Sequence, residues 1–229
     1  MKSRFTENDK SRALAINQAL KDLFPGALVT ILEYTNNWEL LVAVQLSAQC
    51  TDKKVNEITK KLFKKYRTLA DYVKADPRGF EKDIFQSGFY KNKTKNILAA
   101  AKMLEEKFGG VIPNSMGQIL ELPGVARKTA NVVLGNAYGV VEGIAVDTHV
   151  TRLAQTFGLT KEKTPEKIER DLMELLPKEE WFNFTYLLIE YGRMYCKATK
   201  HDHASCPLTA EFGVKIPWQL KKAFKIEVS

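Results

Sequence analysis

The chain has 229 residues, 45% of them hydrophobic, which is enough apolar material for a buried core in one large domain or two small ones. Lys and Arg number 35 against 27 Asp and Glu, a formal charge of +8; this favours a polyanionic partner through counterion release, although charge alone leaves an anionic membrane surface or plain solubility open. No apolar run approaches the roughly 20 residues of a membrane-spanning helix, and three cysteines, Cys50, Cys196 and Cys206, are an odd number that speaks against a disulfide framework.

The N-terminus, Met1-Lys2-Ser3-Arg4, leads into charged residues rather than an apolar signal core, so the expected location is the cytoplasm. Apolar residues recur at helical spacing through most of the chain, and the expected fold class is all-α. After Leu46-Ser47-Ala48-Gln49 and Thr51-Asp52 comes a helical pattern of Val55, Ile58, Leu62, Phe63 and Tyr66. The same helix carries Lys53, Lys54, Lys60, Lys61, Lys64 and Lys65, which reads as a solvated face or as a contact surface for an anion. Gly88-Phe89-Tyr90 is followed by Lys91, Lys93 and Lys95. An exposed Phe89 beside those charges suits nucleic acid better than it suits solubility, whereas the plainer reading buries Phe89 at a helix end. The helix that starts near Asn92 stops at Gly109-Gly110, and Ser115 with Gln118 suggests a capping box.

Leu122-Pro123-Gly124-Val125-Ala126-Arg127-Lys128-Thr129-Ala130-Asn131 lies between two helical patterns. Proline and glycine force a tight turn there, and Arg127 opens the next helix. The turn would present unpaired backbone N–H groups that hold a phosphate without reading a base, although a Pro-Gly turn between helices is common for purely structural reasons. Lys128 falls in the first turn of the second helix, where the helix dipole and partial burial both disfavour an ammonium. A neutral amine is a nucleophile, while the alternative is an ordinary surface lysine.

The short run Val140 to Val146 is ambiguous between strand and connection. Asp147-Thr148-His149 then stands where a helix should begin. Two readings of Asp147 are open: a helix N-cap, or a carboxylate that stabilises positive charge developing on a sugar ring. Gly158 marks the end of a helix running from about Val146, and Thr164-Pro165 places proline at the first position of another, with Ile168, Leu172, Leu175 and Leu176 on its apolar face. No low-complexity segment, long linker or repeat divides the chain, so composition gives no domain boundary.

The hairpin with Lys128 and the Val146-Asp147-Thr148-His149 segment resemble the helix-hairpin-helix DNA glycosylases, specifically the endonuclease III family. Leu46 to Gln49 with Thr51-Asp52, Gly88-Phe89-Tyr90 with Lys93 to Ile97, and Tyr191-Gly192-Arg193 before Cys196 resemble family segments in the same order, over roughly residues 10 to 207. The resemblance implies two helical domains flanking a DNA-binding cleft. One is a six-helix barrel over about residues 30–141, and the other joins 1–29 to 142–229. It implies a bifunctional glycosylase and abasic-site lyase of base excision repair, acting as a monomer on duplex DNA with damaged bases or abasic sites and removing oxidised pyrimidines.

In that reading Lys128 attacks C1′ of a flipped nucleotide, and Asp147 is its electrostatic or general-base partner. Related mismatch glycosylases carry a hydroxyl residue where Lys128 stands, so the lysine argues for the lyase branch. Gln49 would fill the hole in the base stack, and Phe89, in place of a leucine, would wedge beside the orphaned base. Leu122, Gly124, Ala126 and Arg127 complete the expected DNA contacts. Ala126 replaces a hairpin glycine, where a methyl would crowd a phosphate or restrict a positive φ, and the stretch from Lys128 to Asp147 is one residue longer around Gly139 to Gly143. The rival readings are a non-catalytic helix-hairpin-helix DNA-binding module and, among enzymes, a pyrimidine-dimer or mismatch glycosylase.

Relatives commonly hold a [4Fe–4S] cluster on cysteines spaced C-x6-C-x2-C-x5-C. Counted from Cys196, those positions hold Cys196, His203, Cys206 and Phe212, so only two are cysteine and a phenyl ring binds no metal. The expectation is no cofactor and no metal, with a loop held by packing of Phe212, Pro207 and Leu208. Cys196, His201, His203 and Cys206 have zinc-like chemistry, but their intervals match no common finger, and zinc is the minority reading.

Overall fold

A computed structural model describes residues 4–27 and 29–213 of the chain. Among these residues every regular element is helical. The chain divides into two compact units, Val29–Ala145 and Met1–Leu28 with Val146–Ser229. The division follows Ala145, where the sequence reading placed it after residue 141.

The 29–145 unit is built around α2 (Asn37–Leu46), which begins at Asn36, whose side chain accepts from the Glu39 N–H. This helix is buried all round, every residue from Trp38 to Leu46 included, with Glu39 and Gln45 its polar members, as expected of a helix with neighbours on each side. Around it run α3 (Asp52–Lys65), α4 (Leu69–Val73), α5 (Pro77–Asp83), α6 (Tyr90–Phe108), α7 (Met116–Ile119) and α8 (Arg127–Tyr138). Helix α3 buries Val55, Ile58, Thr59 and Leu62 and leaves Lys53, Lys60, Lys61, Lys64 and Lys65 exposed. Trp38, Tyr66, Tyr72 and Phe80 close one end of this core through tilted and edge-on ring contacts with centroids 5.1 to 5.8 Å apart.

The other unit contains α1 (Glu7–Leu23), α9 (Thr148–Thr156), α10 (Pro165–Leu175), α11 (Trp181–Met194) and α12 (Pro207–Phe212). Thr6 and Asp9 form a reciprocal capping box on α1, and Pro165 occupies the first turn of α10. Tyr191 of α11 is wholly buried; its ring meets Phe157 at 5.6 Å, and its hydroxyl accepts from the Thr209 N–H at 2.8 Å. That bond ties α12 to α11. Arg12 donates from α1 to the Phe157 and Phe212 carbonyls.

Two local expectations change, at Ser115 and Val146, and the open reading of residues 140–146 is decided. Ser115 does not cap the backbone of α7, because its hydroxyl donates instead to the Gln118 side chain at 2.9 Å. Residues 140–146 form a non-regular connection rather than a strand; Ile144, Ala145 and Val146 are apolar because they are buried. The helix expected from about Val146 starts at Thr148, because Asp147 is its N-cap.

Leu41 lies wholly buried inside the α2-centred core. Leu41→Ala should therefore lower stability in urea denaturation by about 2–5 kcal/mol. A loss under about 1 kcal/mol would show that α2 is not the packing centre of its unit.

Candidate active site and DNA-contact elements

The hairpin runs from α7 through Leu122 to α8, and packing fixes it from beneath. Leu122 is 2% exposed and Val125 is 8% exposed, so both side chains are anchors, and the Leu122 carbonyl accepts the Val125 N–H. Gln45 of α2 donates to the Pro123 carbonyl at 2.9 Å. Gly124 has φ +76°, and a Cβ there would lie 2.8 Å from Cβ of Asn96 on α6. Conformation and space both require glycine at this corner.

Ala126 behaves otherwise. Its φ of −94° is extended and needs no glycine, so the expected backbone restriction is removed. Alanine also has no side-chain acceptor, and no side chain caps α8. The first turn of this helix lies at the positive end of its dipole. Arg127, half-buried, donates to the Glu142 carbonyl at 3.3 Å, which ties the connection after α8 back to its start. Lys128 is the second residue of α8 and is half-buried.

Among the described residues Gln49 and Phe89 are the two non-glycine residues with positive φ, at +53° and +47°. Left-handed backbone is unfavourable for both side chains and persists only when the surroundings impose it. Both residues are exposed, and Phe89, at 68%, is no buried helix-end aromatic.

Lys93 bonds to the segments that lead to both residues. The second lysine cluster is not uniformly a surface feature, because Lys93 is only 6% exposed. Its ammonium donates to the Leu46 carbonyl at 2.9 Å and to the Ser87 carbonyl at 2.7 Å. Leu46 ends the helix that leads to Gln49, and Ser87 sits just before Gly88-Phe89, so one side chain clamps both approaches. Burial pushes the Lys93 pKa below the usual lysine value. Sequence reasoning missed this role, yet a signal existed: Lys93 is in register with buried Ile97, Ala100 and Leu104 on the apolar stripe of α6.

In the other unit Asp147 is indeed an N-cap. Its Oδ1 accepts from the Val150 N–H at 2.8 Å, and its Oδ2 lies 3.2 Å from His149 Nδ1. The carboxylate is held at both oxygens with its side chain 21% exposed, so capping and reaction chemistry are compatible uses of one oriented group. Gly192 on α11 makes room for the His149 ring, which a Cβ there would meet at 2.8 Å.

Near the end of the described residues Cys196, His201, His203 and Cys206 bring their ligand atoms within 4.8 Å of one another and could hold a metal. The sequence reading expected Pro207, Leu208 and Phe212 to fill this loop. Leu208 is buried and Phe212 half-buried, whereas Pro207 is exposed.

Residues 42–178 match the family described as HhH-GPD superfamily base excision DNA repair protein. The chain is 47% identical over 199 residues to endonuclease III of Synechocystis sp., covering 87% of this chain and 90% of that one. It is 36% identical over 198 residues to endonuclease III of Escherichia coli, covering 86% and 93%. A solved structure of a trapped endonuclease III–DNA covalent intermediate superposes with a TM-score of 0.84 at 41% identity, covering 89% of this chain and 95% of that one. A non-covalent endonuclease III–DNA complex gives the same TM-score of 0.84 at 40% identity. The chain belongs to the endonuclease III family of helix-hairpin-helix base excision repair enzymes, which are DNA glycosylases with abasic-site lyase activity.

Proposed function

We propose that Lys128 is the nucleophile of this chain, that Asp147 is its electrostatic partner, and that the substrate is an oxidised pyrimidine flipped out of duplex DNA. The observation that carries the reading is the position of Lys128 in the first turn of an uncapped helix, immediately after a glycine-dependent corner. A phosphate held on the α8 amides would fix the sugar–phosphate chain beside the amine. The amine then displaces the base at C1′, and the Asp147 carboxylate stabilises positive charge on the sugar. Ring opening leaves a Schiff base, and loss of the 3′ phosphate by β-elimination nicks the strand. Water then releases the lysine. A water nucleophile in place of the lysine would remove the base without the nick.

Gln49 and Phe89 enter the base stack in this reading, Gln49 in the vacated position and Phe89 beside the orphaned base. Their exposure and imposed left-handed backbone support it. The chain acts as a monomer in the cytoplasm on nucleoid DNA; consistent with this, no helix among the described residues is long and apolar enough to cross a membrane. It lacks a [4Fe–4S] cluster, because Phe212 stands at one of the four ligand positions of the family spacing.

Three outcomes test the reading. Lys128→Gln should abolish borohydride trapping on abasic DNA while duplex affinity stays within a few fold, and undiminished trapping would refute the nucleophile. Asp147→Asn keeps the cap acceptor but removes the charge, so single-turnover excision of thymine glycol should fall by about 10²-fold or more, whereas near-normal turnover would leave Asp147 a cap alone. Lys93→Met should reduce flipping, read as the fluorescence of 2-aminopurine opposite the lesion, and lower excision at damaged bases more than cleavage at preformed abasic sites. An equal loss on both substrates would mean that Lys93 serves only stability.

A further inference from the structure

We propose that Cys196, His201, His203 and Cys206 bind one Zn²⁺ ion in a tetrahedral site. Cys196 follows the end of α11, and Cys206 is the N-cap residue of α12; the ion would staple these two helix ends across the intervening loop. His201 Nε2 lies 3.2 Å from Cys206 Sγ, and His203 Nδ1 lies 3.6 Å from Cys196 Sγ. Zinc bonds of about 2.3 Å to sulfur and 2.0–2.1 Å to nitrogen put tetrahedral ligand atoms about 3.3–3.8 Å apart. The set, with all ligand atoms within 4.8 Å, therefore needs only small side-chain adjustments. By contrast, ligands of a four-iron cube sit at its outer corners and must stand farther apart than these do.

The surroundings orient the ligands toward an ion. His201 Nδ1 lies 2.8 Å from the Thr199 carbonyl, an acceptor, so Nδ1 carries the proton and Nε2 keeps its lone pair toward the cysteines. That is the outer contact by which metal-ligating imidazoles are commonly held. Arg152 donates to Cys196 Sγ at 3.4 Å, an outer contact that holds this ligand atom in place. Two thiolates and two neutral imidazoles around Zn²⁺ form a neutral unit, with the two thiol protons released to solvent. The intervals made zinc the minority reading of this set because finger-type spacings do not describe a loop that contains the short helical turn His203–Ser205.

The test is metal analysis of full-length protein produced with zinc and iron both available and passed over a chelating resin. A colourless protein retaining about one zinc per chain is expected. Cobalt loaded in its place should give the intense visible bands of tetrahedral, thiolate-bound Co²⁺. His201→Gln and Cys206→Ser should each lose the metal, whereas Cys50→Ser should keep it. Zinc stripped by the resin, a weak octahedral cobalt spectrum, or a brown protein carrying iron and sulfide would each overturn the proposal. Should either ligand variant fail to fold, the cobalt spectrum of the unaltered chain decides the matter.

Discussion

A buried ammonium between two backbone carbonyls is the constraint that joins the segments leading to Gln49 and Phe89, the residues proposed to enter the base stack. Lys93 donates to Leu46 at the end of α2 and to Ser87 before α6, and each carbonyl belongs to a segment that ends in a left-handed residue. Burying the ammonium carries a desolvation cost, visible as its lowered pKa. Charge-assisted hydrogen bonds offset that cost. Two separated loops are thereby held at fixed distances from one side chain, so Gln49 and Phe89 emerge from a rigid base while their own side chains stay exposed. In the proposed reaction that rigidity matters because a side chain entering the base stack must resist its closure without folding back.

The hairpin solves a related problem by different means. Leu122 and Val125 are buried, Gln45 holds the Pro123 carbonyl, and Gly124 turns against Asn96. Packing fixes the corner, and the alanine after it leaves α8 without a side-chain cap. Uncapped amides cost stability in an isolated protein unless water or a ligand satisfies them. In the proposed reaction a phosphate is that acceptor, and the residue that follows these constraints into the helix is Lys128. In the second unit Asp147 shows the opposite arrangement, a cap fully used by its helix and braced by His149, with Gly192 making the room.

Helical periodicity made the fold class legible, since α3, α6 and α10 keep one apolar face each. Proline and glycine likewise marked the hairpin. The positive φ of Gln49 and Phe89 was not legible, because neither residue type announces left-handed backbone. Lys93 was grouped with the surface charges although its register with Ile97, Ala100 and Leu104 marked it for burial; only its two carbonyl acceptors have no sequence signature. Ala126 gave the reverse error, since a position occupied by glycine elsewhere in the family needs no glycine conformation here. The Cys and His quartet was recognised as chemistry, but its convergence depends on a turn that interval counting does not see.

The central claim is that strand cleavage passes through the amine at the start of α8. Borohydride reduction of the reaction with thymine-glycol duplex, followed by nuclease and protease digestion, leaves a sugar adduct on whichever amine formed the Schiff base. Mass spectrometry of the peptides should place that adduct on Lys128. An adduct on any other lysine, or on the chain's terminal amine, would contradict the account.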